Sequence, residues 1–145
     1  MSTSEAVWPS PILSATSLGM GVDHIGFTIG SLEQLLTNYE RLKKVGITPV
    51  WCINHGPTTS MYYEDPDGTR LEFQVENFAT AAETADYING KEFAENPIGV
   101  NFDPDYLLER LRAGDNVKEL SKQGAGTRPG TTARANKRAL TWKTI

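Results

Sequence analysis

I-N-H-G-P-T-T-S-M-Y-Y-E-D-P-D-G-T-R-L-E, residues Ile53 to Glu72, places a histidine, a tyrosine and a glutamate at spacings that suit a metal-centred site on a β-hairpin. The turn is Asp65-Pro66-Asp67-Gly68. Proline presets φ, glycine accepts a positive φ, and extended runs flank both. Working outward, side chains on a strand alternate with period two. In the return strand Leu71, Phe73 and Val75 therefore share one face, and Arg70, Glu72, Gln74 and Glu76 the other. The same count along Val22 to Ile29 puts Ile25, Phe27 and Ile29 on an apolar face and His24, Gly26 and Thr28 opposite. His24 and Glu72 are thus expected on the face without the hydrophobic run.

Between these strands, Leu32, Leu35, Leu36, Tyr39, Leu42 and Val45 recur at helical spacing. Ser31 and Gln34 form a capping box, and Gly46 is the stop. This helix would cover the apolar sheet face. The order is strand 22 to 29, helix 31 to 45, then strands 48 to 53, 58 to 64 and 69 to 76, an α+β fold of βαβββ type. A unit of this size buries little surface. With one face rimmed by His24, Tyr62 and Glu72, it is expected to need a partner layer.

The stretches G-V-D-H-I-G-F (residues 21 to 27) and L-E-F-Q-V-E-N-F (residues 71 to 78) resemble the C-terminal module of a vicinal oxygen chelate protein. Within that glyoxalase, bleomycin resistance and extradiol dioxygenase superfamily, the pattern is closest to type I extradiol ring-cleavage dioxygenases. Their signature combines a histidine, a short spacer, an apolar residue with tyrosine, a D-P-x-G type turn and a glutamate. His55, Met61, Tyr62, Asp65, Pro66, Gly68 and Glu72 fit it. The resemblance implies His24 and Glu72 as metal ligands, with His55 and Tyr62 hydrogen-bonding substrate hydroxyls or the oxygen species. It implies Fe(II), with Ni(II), Zn(II), Co(II) and Mn(II) as alternatives, and cleavage of a small aromatic diol by dioxygen.

The chain departs from that pattern in having only two histidines, His24 and His55. Relatives of this type carry a further histidine ligand on an earlier module, and their histidine acid/base has no counterpart here. A homodimer, or pairing with another βαβββ module, would supply a partner layer. Two copies of His24 and Glu72 meeting at one centre would give a His2Glu2 set of glyoxalase I type. Two other function classes stay open. One is a glyoxalase-like metal-dependent lyase or isomerase, and the other a non-catalytic small-molecule binding module of the same fold.

Each residue also has a plainer reading. His24 could be a half-buried polar strand residue, and Glu72 a solvated one paired with Arg70. Tyr62 could be ordinary strand packing, and His55 a loop residue before Gly56-Pro57.

The rest of the chain sets boundaries. The 145 residues, 39% hydrophobic with a net charge of -4, give no general reason to expect nucleic-acid binding. Residues 121 to 145 hold six of the 14 basic residues and no acidic one; the other eight stand against all 18 acidic residues, leaving -10 for residues 1 to 120. Residues 116 to 145 therefore read as a disordered basic tail. Residues 79 to 115 read as a helical extension, with one helix over Thr80 to Asn89 and another from Asp103-Pro104 through Leu111 to Gly114. Residues 1 to 20 read as a flexible segment before a module at 21 to 78, and the abrupt start suggests a truncated duplication or a shortened gene model. No stretch is long and apolar enough for a membrane span, and no signal peptide is evident. The single Cys52 fits a reducing, cytoplasmic setting.

Overall fold

The computed structural model describes residues 12–15 and 22–131, with side chains from residue 23 onward. A six-stranded mixed sheet carries helices on one face, an α+β fold consistent with a vicinal oxygen chelate module. In chain order the strands are β1 (Ile12–Ala15), β2 (Val22–Thr28), β3 (Trp51–Asn54), β4 (Thr58–Glu64), β5 (Arg70–Glu76) and β6 (Val100–Asn101). Across the sheet they run β1-β2-β5-β4-β3-β6. β2 and β5 pair in parallel because helix α1 (Leu32–Lys44) crosses over the sheet between β2 and β3. The other pairings are antiparallel.

The hairpin forms where the D-P-D-G turn places it. The Gly68 N–H donates to the Asp65 carbonyl at 2.9 Å, and Gly68 takes a φ of 84° that a side chain would resist. This turn fixes the β4/β5 register at Glu64↔Arg70, Tyr62↔Glu72 and Ser60↔Gln74. One residue of slip would send Glu72 into the helix layer.

α1 starts at Ser31, whose hydroxyl accepts the Gln34 N–H, and it buries Leu32, Leu35, Leu36 and Tyr39. These pack on Met61, Tyr63, Phe73 and Val75 of β4 and β5. Val45, expected on the apolar stripe, is 68% exposed. The helix ends at Lys44, so Val45 is the cap residue and has turned off the buried face.

Helices α2 (Ala81–Ile88) and α4 (Pro104–Arg112) lie where their caps predict. Thr80 and Glu83 form a reciprocal capping box, while the Asp103 carboxylate accepts the Asp105 and Tyr106 N–H groups. Two short helices, α3 (Lys91–Glu95) and α5 (Val117–Leu120), complete the extension.

Three expectations need correction. β1 falls within the segment read as flexible and pairs with β2, Ser14 opposite His24. β3 starts at Trp51 rather than at residue 48. The fold also continues past residue 115 as far as 131. Leu120 is buried in the same core as α1, and the Ser121 and Gly126 carbonyls accept hydrogen bonds from Asn54 Nδ2 and the Asp103 N–H. Composition missed this because the anchors are single residues meeting distant strands. The rest of the basic tail, from residue 132, lies outside the described residues.

Candidate functional site

The sheet face turned away from α1 gathers the four residues singled out in the sequence. Adjacent strands put Gly26, Glu72, Tyr62 and Trp51 in one row across β2, β5, β4 and β3. Gly26 brings no side chain to the row, and His24 lies one pleat along β2. Its Nε2 stands 3.6 Å from Glu72 Oε2, and its ring meets that of Tyr62 edge-on at 5.8 Å. The imidazole at 24 and the carboxylate at 72 therefore converge, as the alternation requires. The Glu72 side chain is only 8% exposed, which removes the reading of Glu72 as a solvated strand residue.

His55, the residue after β3, reaches the same face. Its Nε2 lies 2.9 Å from the Tyr62 hydroxyl, and its Nδ1 lies 2.6 Å from the Ile98 carbonyl. A carbonyl can only accept, so Nδ1 carries the proton and donates it to Ile98. In neutral His55, Nε2 is then an acceptor aimed at Tyr62. The Tyr62 ring is buried and stacks on Trp51 at 5.0 Å. Burial pushes its phenol well above the usual range, and the charge of Glu72 and a hydrogen bond with it push further the same way. Each of these favours the protonated phenol.

Sequence reasoning missed two supporting groups. Asp23 Oδ2 lies 2.8 Å from His24 Nδ1. Strict alternation would send Asp23 to the other face, yet adjacency lets its carboxylate fold back on the ring; the signal was the D-H pair itself. Trp51 forms the aromatic wall and anchors its Nε1–H on Asn101 Oδ1 at 2.9 Å. Nothing local marked it, because β6, which supplies Asn101, is only two residues long.

A divalent cation suits the donor set. In a neutral His24 with Nδ1 donating to Asp23, the lone pair lies on Nε2 and faces the Glu72 carboxylate. Carboxylate support behind a histidine is the usual device for orienting a metal ligand. Nitrogen and oxygen donors sit about 2.0–2.2 Å from a transition metal, so atoms 3.6 Å apart can share one ion. Among the described residues, no group of three or more His, Cys, Asp or Glu side chains is arranged to hold a metal.

Residues 3–73 match the family model of the Glyoxalase/Bleomycin resistance protein/Dioxygenase superfamily. The chain carries a domain of that superfamily. It is 46% identical over 101 residues to biphenyl-2,3-diol 1,2-dioxygenase 2 of Rhodococcus globerulus, covering 70% of this chain and 53% of that protein. It is 42% identical over 106 residues to biphenyl-2,3-diol 1,2-dioxygenase 3 of the same organism, covering 73% and 56% respectively. The chain thus spans about half the length of the curated relatives it matches. No solved structure matches significantly. Among the described residues no helix is long and apolar enough to cross a membrane.

Proposed function

We propose that the domain takes part in extradiol ring cleavage of an aromatic vicinal diol, with His24 and Glu72 as metal donors and His55 and Tyr62 contacting the substrate oxygens. The observation that carries this reading is the meeting of His24 Nε2 and Glu72 Oε2 at 3.6 Å beside the linked His55–Tyr62 pair. The relatives named biphenyl-2,3-diol 1,2-dioxygenases support the reaction class. Bound Fe(II) would supply a redox-active Lewis acid with open coordination positions. The protein's own groups have separate tasks. The Tyr62 O–H, favoured by burial, can donate to an oxyanion on the substrate. His55 Nε2, an acceptor because Nδ1–H donates to the Ile98 carbonyl, can take a proton from a diol hydroxyl once the Tyr62 O–H turns from it to the substrate oxygen. The Trp51–Tyr62 stack gives an aromatic wall beside both.

A third metal donor would come from outside the described residues. Pairing with a second βαβββ unit, in a homodimer or with a separate module, would cover the open sheet face and bring donors to it.

The test is anaerobic loading of the purified chain with Fe(II), metal analysis, and oxygen uptake with catechol and biphenyl-2,3-diol. Iron with uptake, both lost in His24→Ala and Glu72→Ala, is the expected result. A different metal without uptake would move the reading to lyase or isomerase chemistry. A folded chain that takes up no metal, alone or paired, would leave a binding module.

A further inference from the structure

The loop that carries His55 is held by a closed set of amide hydrogen bonds whose donors and acceptors are unambiguous. The Gly56 N–H can only donate and meets Asn54 Oδ1 at 2.8 Å; the Gly56 carbonyl can only accept and meets Asn77 Nδ2 at 2.8 Å. Asn77 Nδ2 also donates to Asn54 Oδ1 at 3.1 Å, joining the two amides behind the loop. Its Oδ1 accepts the Thr59 hydroxyl at 2.7 Å, and its backbone N–H donates to the Pro57 carbonyl at 2.9 Å. Asn54 is tied in turn to the C-terminal segment through its Nδ2 to the Ser121 carbonyl, 2.8 Å, and its own carbonyl to Gln123 Nε2, 3.1 Å. Asn54 and Thr59 are almost fully buried.

On its other side His55 depends on a close backbone approach. Gly99 takes a φ of 123°, and a Cβ there would lie 2.2 Å from the Asn54 carbonyl oxygen and 2.8 Å from His55 Cα. Only glycine lets the segment before β6 come near enough for the neighbouring Ile98 carbonyl to reach His55 Nδ1. His55 therefore sits between one fixed acceptor and one fixed loop, and Asn77 is the residue that touches the loop at the most points.

We infer that Asn77 is a positioning residue: through Asn54 and the Gly56–Pro57 backbone its side-chain amide sets the direction in which His55 presents Nε2 to the Tyr62 hydroxyl. The inference rests on the substrate-side role proposed above for His55, which it deepens. It also gives the segment after β5 a task in the site, because Asn77, Ile98, Ser121 and Gln123 all lie beyond the hairpin.

The chain has two histidines, so nitrogen-15 NMR of the imidazoles reads His55 directly, with no metal or substrate. In the full-length chain, His55 is expected as a single tautomer with a slowly exchanging Nδ1 proton. Asn77→Ala, which removes three side-chain hydrogen bonds, should give mixed tautomers and a proton exchange at least about tenfold faster, with His24 signals unmoved. Thr59→Val, a milder change that removes only the outer hydrogen bond, should fall between and keeps the question answerable if Asn77→Ala does not fold. Leu108→Ala loosens the helix layer without touching the loop and should leave His55 unchanged. Unaltered His55 signals in folded Thr59→Val and Asn77→Ala would overturn the inference, as would the same change in Leu108→Ala. If His55 loosens as expected in a chain that never takes up metal or a diol, the clamp stands and the ring-cleavage reading falls.

Discussion

Substituting Tyr62 with phenylalanine removes one oxygen from the middle of the site and leaves the ring in place. The ring is 4% exposed and stacked on Trp51, so packing is preserved and only the hydroxyl's partners are disturbed. They are His55 Nε2 at 2.9 Å and the Glu72 carboxylate. The hydroxyl has one proton for these two acceptors and so makes one such bond at a time; a neutral bond contributes about 1 kcal/mol and one to a charged group about 1.5–3 kcal/mol, so a net loss of about 2 kcal/mol is expected. For a domain of this size that lowers Tm by about 8 °C, at about 4 °C per kcal/mol. The neighbouring Tyr63 supplies the control. It points to the opposite face, where its hydroxyl has the Met61 sulfur at 4.0 Å as its contact, so Tyr63→Phe should change Tm by under about 3 °C. Thermal unfolding followed by circular dichroism measures both. A Tyr62→Phe variant as stable as the parent, or a Tyr63→Phe variant that loses as much, would refute the view that the hydroxyl at 62 is bound into a polar network while that at 63 is not.

Two further outcomes follow from the fold. Leu120→Ala should destabilise the chain by about 2–5 kcal/mol in urea titration, because Leu120 fills the core shared by α1 and α4; a loss below about 1 kcal/mol would return this segment to the surface. Asp105 is held below the usual carboxylate range, chiefly by a hydrogen bond from Lys43 Nζ and also by one from the Tyr39 hydroxyl. A carboxylate with a lowered folded value contributes stability above its ordinary pKa of about 3.9 and loses it as pH falls through the folded value. The Tm gap between the parent and Asp105→Asn should therefore be full near pH 7 and close progressively below about pH 5, and a gap that widens on acidification would contradict the pairing.

The hairpin and both sheet faces were legible because their causes are local. Proline and glycine at positions 66 and 68 fix a turn, the turn fixes a register, and a period of two then decides that Leu71 and Phe73 point one way and Glu72 the other. His24 followed from the same alternation on a separate strand. What lay beyond the sequence depends on contacts between distant residues. Leu120 reaches the core from a stretch whose composition reads as disorder, and Asn54 meets Ser121 and Gln123 across more than sixty positions. The Trp51–Asn101 bond needs a two-residue strand that no periodicity can announce.

The sequence by itself determined the strand–helix–three-strand order from residue 22 and the apolar and polar faces, since turn chemistry and strand alternation act over a few residues. The tertiary structure decided that His24 and Glu72 close to 3.6 Å, that Asp23 stands behind the imidazole, and that His55 is aimed at Tyr62 by Ile98 and the Asn54–Asn77 amides. Those relations depend on which strands lie side by side and how closely their backbones approach, and chain closure over long separations sets both.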